Sequence, residues 1–154
     1  MTVSFIDTSI LCNLLPVPGR DQGRAEVVAE FANRRARGET FILPVTAIIE
    51  TGNFIAQVPD GRMRRATAQV FADLISLVAE GKAPWTMHQF LWEGDYLRRL
   101  VAGSGTAMTL VEHAVNGLGG GDLCILAERD LYRARSGITA VTIWTIDTVL
   151  AAHN

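Results

Sequence analysis

Short apolar runs of strand length alternate along this chain with longer segments of helical spacing. The runs are VSFI at 3–6, FIL at 41–43, APWTM at 83–87 and AVTIWTID at 140–147. Helices are predicted at 8–15, at 22–37 with Asp21 as its N-cap, at 47–58 with Thr46 as its N-cap, and at 62–80, 88–101, 106–115 and 122–135, with a short helical tail after the last run. Strands that alternate with helices predict an α/β fold built on a mainly parallel sheet.

Length and composition set the bounds of this fold. The chain has 154 residues, of which 49% are hydrophobic and 19% charged, and its formal net charge is −2. These values predict a single domain over residues 1–154 with a sizeable core. No run reaches the roughly 18 apolar residues of a membrane span, and the start MTVSFID lacks the positive region of a signal peptide. We therefore expect a soluble, cytoplasmic protein with no membrane partner.

Four acidic residues have settings that solvation does not explain. Asp7 and Asp147 each follow an apolar strand-like run, Glu50 lies within the apolar helix of VTAIIETGNFI, and Asp122 begins a helix after three glycines. Alone, each has an ordinary explanation, as a helix cap, a turn residue or a half-exposed helix acid. However, ligands of parallel sheets bind outside the carboxyl ends of the strands. Asp7 and Asp147 are therefore predicted at one rim.

Convergence of these acids would require a counter-charge. Two carboxylates about 4 Å apart repel by roughly 4 kcal/mol at an effective dielectric of 20. No Lys or Arg lies within two residues of any of the four in the sequence. A hard divalent cation with oxygen ligands, Mg²⁺ or Mn²⁺, fits this set better than zinc, which favours His and Cys. Such ions activate water and stabilise a departing oxygen at phosphodiesters.

Four motifs carry a family resemblance over nearly the whole chain. FIDTSIL, LPVTAIIE, GGGDLCILAERD and VTIWTID, in this order and spacing, resemble the PIN-domain nucleases, including the VapC-type toxins. The resemblance implies a three-layer α/β/α sandwich and a Mg²⁺- or Mn²⁺-dependent endoribonuclease for single-stranded RNA. It implies that the metal-binding and catalytic acids are Asp7, Glu50, Asp122 and Asp147. It also implies that the polar side chains Thr8, Ser9 and Thr145 support them.

The same resemblance implies partners. VapC-type members form homodimers and are inhibited by an antitoxin protein. Segment 88–121 is long for a small toxin of this kind, so an RNA-processing PIN nuclease outside any toxin–antitoxin pair remains an alternative. A non-catalytic PIN fold that binds RNA or protein is a second alternative, although such members usually lose acids that this chain retains.

A basic cluster is a candidate contact for RNA. Arg62, Arg64 and Arg65 follow the turn at 59–61 and open a predicted helix. RNA-binding surfaces need positive charge to neutralise phosphates. The alternative interpretation of GRMRR is a solvated helix face.

Overall fold

The computed structural model describes all residues, 1–154, as an α/β fold. Its strands are β1 (Val3–Ile6), β2 (Thr40–Ile42), β3 (Trp85–Thr86) and β4 (Val141–Trp144). Its helices are α1 (Thr8–Leu14), α2 (Arg24–Ala36), α3 (Val45–Ala56), α4 (Gly61–Ala79), α5 (Gly94–Val101), α6 (Leu110–Val115), α7 (Gly120–Ser136) and α8 (Thr148–Ala151).

The four strands form one parallel sheet in the order β3-β2-β1-β4. β1 is central, with Val3 beside Thr40 of β2 and beside Val141 of β4. All four residues of β1 are buried, as expected for a parallel strand covered on both faces. The prediction of an α/β fold with a mainly parallel sheet is therefore confirmed.

Apolar side chains cover both faces of the sheet. One cluster joins Ile6 of β1 to side chains of α1, α2 and α3, among them Leu11 and Ile55. The other joins Phe5 of β1 to side chains of α7 and α8, among them Leu126. Because neighbouring strand residues point to opposite faces, one strand supplies both clusters. A layered α/β/α arrangement is compatible with this division. No helix is both long enough and apolar enough to cross a lipid bilayer.

The predicted helices at 88–101 and 106–115 are too long. α5 begins only at Gly94, and α6 begins only at Leu110. His88, Phe90 and Trp92 instead form a series of ring contacts, with centroids 5.6 and 5.8 Å apart. Rings at every second residue suit an extended chain, in which such residues share one face. This two-residue spacing overrides the helical pattern.

Two predicted helix caps are also wrong, and one of them bears on the site. α3 begins at Val45, one residue before Thr46. α2 begins at Arg24 with Gly23 as its N-cap, not Asp21. The Arg24 guanidinium donates to the carbonyls of Asn13 (2.6 Å) and Leu14 (2.7 Å) at the end of α1. Residues 15–23 therefore form a tethered loop between the two helices.

Side chains occupy the outer edge of β4. The Asn154 side chain accepts a hydrogen bond from Ile143 N at 2.6 Å and donates one to Ile143 O at 2.9 Å. Arg133 donates to Val141 O. These contacts replace the backbone partners that a fifth strand would provide.

A carboxylate-lined cavity as candidate active site

The order of the strands locates a crevice beside β1. The chain runs from β1 outward through β2 to β3, and then returns to place β4 on the other side of β1. Such a switch point leaves an opening at the carboxyl ends of the strands. A cavity of about 310 Å³ lies there. The four acids singled out from the sequence all line it, namely Asp7, Glu50, Asp122 and Asp147.

Asp7 is fixed by both its backbone and its side chain. Its N–H continues the sheet by donating to Trp144 O at 3.0 Å, and its carboxylate caps α1. Asp7 Oδ2 accepts hydrogen bonds from Ser9 Oγ (2.6 Å), Ser9 N (3.3 Å) and Thr145 Oγ1 (2.7 Å). All these bonds reach one oxygen, so Oδ1 has no partner within the protein. The residue is only 4% exposed.

Asp147 is the most exposed of the four acids, and a helix end holds it. Its Oδ1 accepts from the N–H groups of Val149 (2.8 Å) and Leu150 (3.3 Å), which caps α8. Its own N–H donates to Thr145 Oγ1 at 2.9 Å. Thr145 therefore bonds to both Asp7 and Asp147, and it couples the acids that follow β1 and β4.

Glu50 brings a carboxylate into the cavity from α3. Its Oε1 is buried without a hydrogen-bond partner. A Cβ atom on Gly121 of α7 would lie 1.9 Å from this oxygen, so only glycine permits the approach. Burial and the charge of Asp7 raise the pKa of Glu50. The Thr8 hydroxyl opposes this rise by a smaller amount, although the Thr8 Oγ1 atom has no partner within hydrogen-bond geometry.

Asp122 occupies the first turn of α7 and is half-buried. Burial, followed by the charges of Asp7, Glu50 and Asp147, raises its pKa to about 7. A helix N-terminus stabilises a carboxylate by about 0.3–1 kcal/mol. Because the pKa rises despite that favourable position, desolvation and repulsion between the carboxylates dominate.

The negative charge of the cavity is not balanced by ion pairs. None of the protein's salt bridges includes any of the four acids. Arg20 is the one basic side chain among the residues that line the cavity.

The donor set suits a hard divalent cation. It consists of carboxylates, which are the ligands that Mg²⁺ and Mn²⁺ prefer. Asp7 Oδ1 and Glu50 Oε1 are free of protein hydrogen bonds. No group of three or more Asp, Glu, His or Cys side chains is arranged so that it could hold a metal ion as the side chains stand. Chelation of one ion by three acids therefore requires side-chain rotation.

The remaining predicted residues divide into two groups. Thr8 and Ser9 line the cavity, and Thr145 bonds to the acids there. The candidate RNA-binding residues Arg62, Arg64 and Arg65 lie exposed on the first turns of α4 and do not line the cavity.

Sequence reasoning missed several lining residues. Asn13, Arg20, Gln22 and Phe54 all line the cavity. Two of them had a signal in the sequence, because Asn13 is four residues after Ser9 and Phe54 four residues after Glu50, which places each pair on one helix face. Arg20 and Gln22 lie in a loop, where no periodicity indicates direction.

Comparison with protein-family models, with curated proteins and with solved structures finds no match to this chain. Support for a function therefore comes from the chemistry of the cavity and from the four acidic motifs.

Proposed function

We propose that this protein is a PIN-type, divalent-metal-dependent endoribonuclease that hydrolyses single-stranded RNA. One observation supports this above all others. Four segments of the chain, including residues as distant as Asp7 and Asp147, bring carboxylates into one cavity where no ion pair neutralises them. Such a cavity is unfavourable for the protein alone and becomes favourable when a cation binds.

Mg²⁺ or Mn²⁺ would be held by Asp7, Glu50, Asp122 and Asp147. When bound, the ion lowers the pKa of water and stabilises charge on a leaving oxygen of a phosphodiester. Asp7 can act as an anchor because Ser9 and Thr145 fix its Oδ2 and leave Oδ1 free. Asp147 has the same arrangement, with Oδ1 engaged in the helix cap.

The polar side chains around the acids orient them. Thr145 donates to Asp7 and accepts from the Asp147 backbone, so it fixes the spacing of two of the acids. Gly121 leaves room for Glu50 to reach the cavity. Outer contacts of this kind hold ligand oxygens in place, and their loss typically reduces metal affinity or activity by about 10–100-fold.

The cellular role that we propose is that of the toxin in a toxin–antitoxin pair. This proposal rests on the resemblance of the four acidic motifs, FIDTSIL, LPVTAIIE, GGGDLCILAERD and VTIWTID, to PIN-domain nucleases that include the VapC-type toxins. A homodimer, an antitoxin partner and a cytoplasmic location belong to the same proposal and remain predictions. An RNA-processing nuclease with the same chemistry is the alternative, and growth arrest on expression without a partner protein distinguishes the two.

Cleavage of single-stranded RNA with and without EDTA tests the chemistry. The wild type should cleave in Mn²⁺ or Mg²⁺ and stop when EDTA is added. Asp7→Asn should abolish cleavage yet keep the fold, since asparagine also caps helices. The control Asp73→Asn changes an exposed acid of α4 that lies outside the cavity and should cleave normally. Cleavage by Asp7→Asn at the wild-type rate would show that the proposal is wrong. If the wild type also fails to cleave RNA in Mn²⁺ or Mg²⁺, the alternative of a non-catalytic PIN fold follows.

A further inference from the structure

Arg20 stands in the acidic cavity without pairing to any acid. Its guanidinium carbon lies 3.7 Å from the ring centroid of Phe54. The side chain makes no hydrogen bond and no salt bridge within the protein. A guanidinium carries five N–H donors in a planar fork, and here all five are uncommitted. The ring of Phe54 therefore supports the guanidinium from one side, and no protein acceptor takes any of its N–H groups.

The loop that carries Arg20 is anchored at both ends. Val17 is fully buried, and Arg20 N donates to Val17 O at 2.9 Å in a tight turn. On the other side, Arg24 bonds to the carbonyls of Asn13 and Leu14. The backbone of Arg20 is therefore held by the fold before any ligand arrives, although its side chain is exposed; an ordered loop reduces the ordering cost of binding.

Asn13, which also lines the cavity, has an unsatisfied side-chain oxygen. Asn13 is 1% exposed, and its Nδ2 donates to Ser9 O at 2.8 Å. Its buried Oδ1 has no partner. An unsatisfied buried acceptor costs about 1–3 kcal/mol. This oxygen is buried and lies 3.6 Å from where a Cβ of Gly23 would be, so it is not accessible to a ligand. The free donors that the wall offers to a ligand are therefore those of Arg20.

The cavity contains four carboxylates and the guanidinium of Arg20, which do not pair with one another. This combination suits a ligand that has an anionic backbone. If a divalent cation neutralises the carboxylates, Arg20 remains free for an anion, and guanidinium groups bind phosphate oxygens bidentately. Phe54, which supports Arg20, is one turn of α3 beyond Glu50, and Cβ atoms at this spacing lie about 5–6 Å apart. A phosphate at Arg20 would therefore be a neighbour of the cleaved one.

We propose that Arg20, supported by Phe54, binds a backbone phosphate of single-stranded RNA adjacent to the phosphate that is hydrolysed. This inference rests on the proposed nuclease function and adds a substrate-positioning residue to it. Because the contact exists in both the bound substrate and the transition state, it lowers KM and leaves kcat nearly unchanged.

Binding and cleavage are measured separately to test this contact. Binding uses a fluorescein-labelled single-stranded RNA oligonucleotide and the non-cleaving Asp7→Asn protein, with and without Arg20→Ala, over a series of salt concentrations. Arg20→Ala should weaken binding about tenfold and reduce the slope of log K against log salt by about 0.7, the value for one phosphate on a single strand. Arg20→Lys, which keeps the charge without the fork, should fall between the two.

A matched control removes the same charge elsewhere. Arg37 is the C-cap of α2 and comes just before β2. It therefore lies near the amino ends of the strands, away from the cavity at their carboxyl ends, and its side chain is 62% exposed. Arg37→Ala should leave affinity and salt slope unchanged. In the cleaving background, Arg20→Ala should raise KM about tenfold and change kcat by less than about threefold.

The outcomes separate this inference from the nuclease proposal. If the wild type cleaves RNA but Arg20→Ala binds with unchanged affinity and slope, the contact is wrong and the nuclease stands. A fall in kcat at unchanged KM would also refute the contact. If no RNA is cleaved in Mn²⁺ yet binding depends on Arg20, the phosphate contact stands and the hydrolysis proposal is wrong. Absence of both binding and cleavage refutes both.

Discussion

Asp122 should make the metal-free protein less stable at neutral and alkaline pH. Burial and three neighbouring carboxylates raise its pKa from 3.8 to about 7. In the unfolded chain the group ionises near its ordinary pKa, so the contribution of Asp122 to stability is fully present below about pH 4 and is lost as the pH rises toward 7. Above about pH 7 the loss is complete.

The size of this loss follows from the rise in pKa. At about 1.4 kcal/mol per unit, the rise corresponds to at most about 4 kcal/mol. Asp122 is only half-buried, so solvent screening reduces this to about 2 kcal/mol. The favourable contribution of the helix N-terminus, about 0.3–1 kcal/mol, is already contained in the net rise in pKa. The expected gain from Asp122→Asn is therefore about 2 kcal/mol, or a Tm higher by about 4–8 °C for a chain of this length.

Thermal unfolding in EDTA at a series of pH values measures this effect. Asp122→Asn should unfold at a higher temperature than the wild type at pH 8, and the difference should shrink as the pH falls toward 4. The control Asp73→Asn, which changes an exposed acid on α4, should shift Tm by less than about 1 °C at every pH. A lower Tm for Asp122→Asn at pH 8, or a difference that does not vary with pH, would refute the reasoning from repulsion.

Three further predictions concern the same cavity. Gly121→Ala should reduce cleavage about a hundredfold while keeping the fold, because its Cβ would lie 1.9 Å from Glu50 Oε1 and displace it. The control Gly120→Ala, whose Cβ meets nothing within 4 Å, should cleave normally. Thr145→Val removes a hydrogen bond to Asp7 and should raise the Mn²⁺ concentration for half-maximal cleavage about 10–100-fold. Saturating Mn²⁺ should raise the wild-type Tm at pH 8, since about 100-fold excess over Kd adds about 2.7 kcal/mol; an unchanged Tm would contradict a metal site.

Strand ends were the part of the site most accessible from sequence. Asp7 and Asp147 each follow an apolar run, and in a parallel sheet the carboxyl ends share one rim. That geometric rule needs no side-chain detail, and the cavity contains both residues. Glu50 and Asp122 lie on helices, whose placement over the rim depends on packing. Their apolar and glycine-rich settings marked them as candidates, and the family resemblance implied that they join the pair.

Loop and aromatic segments were less accessible. The prediction of a helix from His88 failed because helical spacing and two-residue spacing coexist in HQFLWEG, and ring packing decided between them. Arg20 was overlooked because its position depends on a turn at Val17 and on a tether from Arg24. Neither contact has a periodic signature. Arg62, by contrast, was a candidate RNA contact because it lies in a cluster of basic residues in the sequence, yet it lies outside the cavity.

The side chains along β4 have a consequence for solubility at high concentration. An open strand border is a template on which other chains can add and grow into aggregates. Here Asn154 and Arg133 already occupy the outward polar groups of Ile143 and Val141. The opposite border of the sheet, β3, is only two residues long. Addition of a strand is therefore blocked at the β4 border. At the other border, β3 is too short to support growth by strand addition.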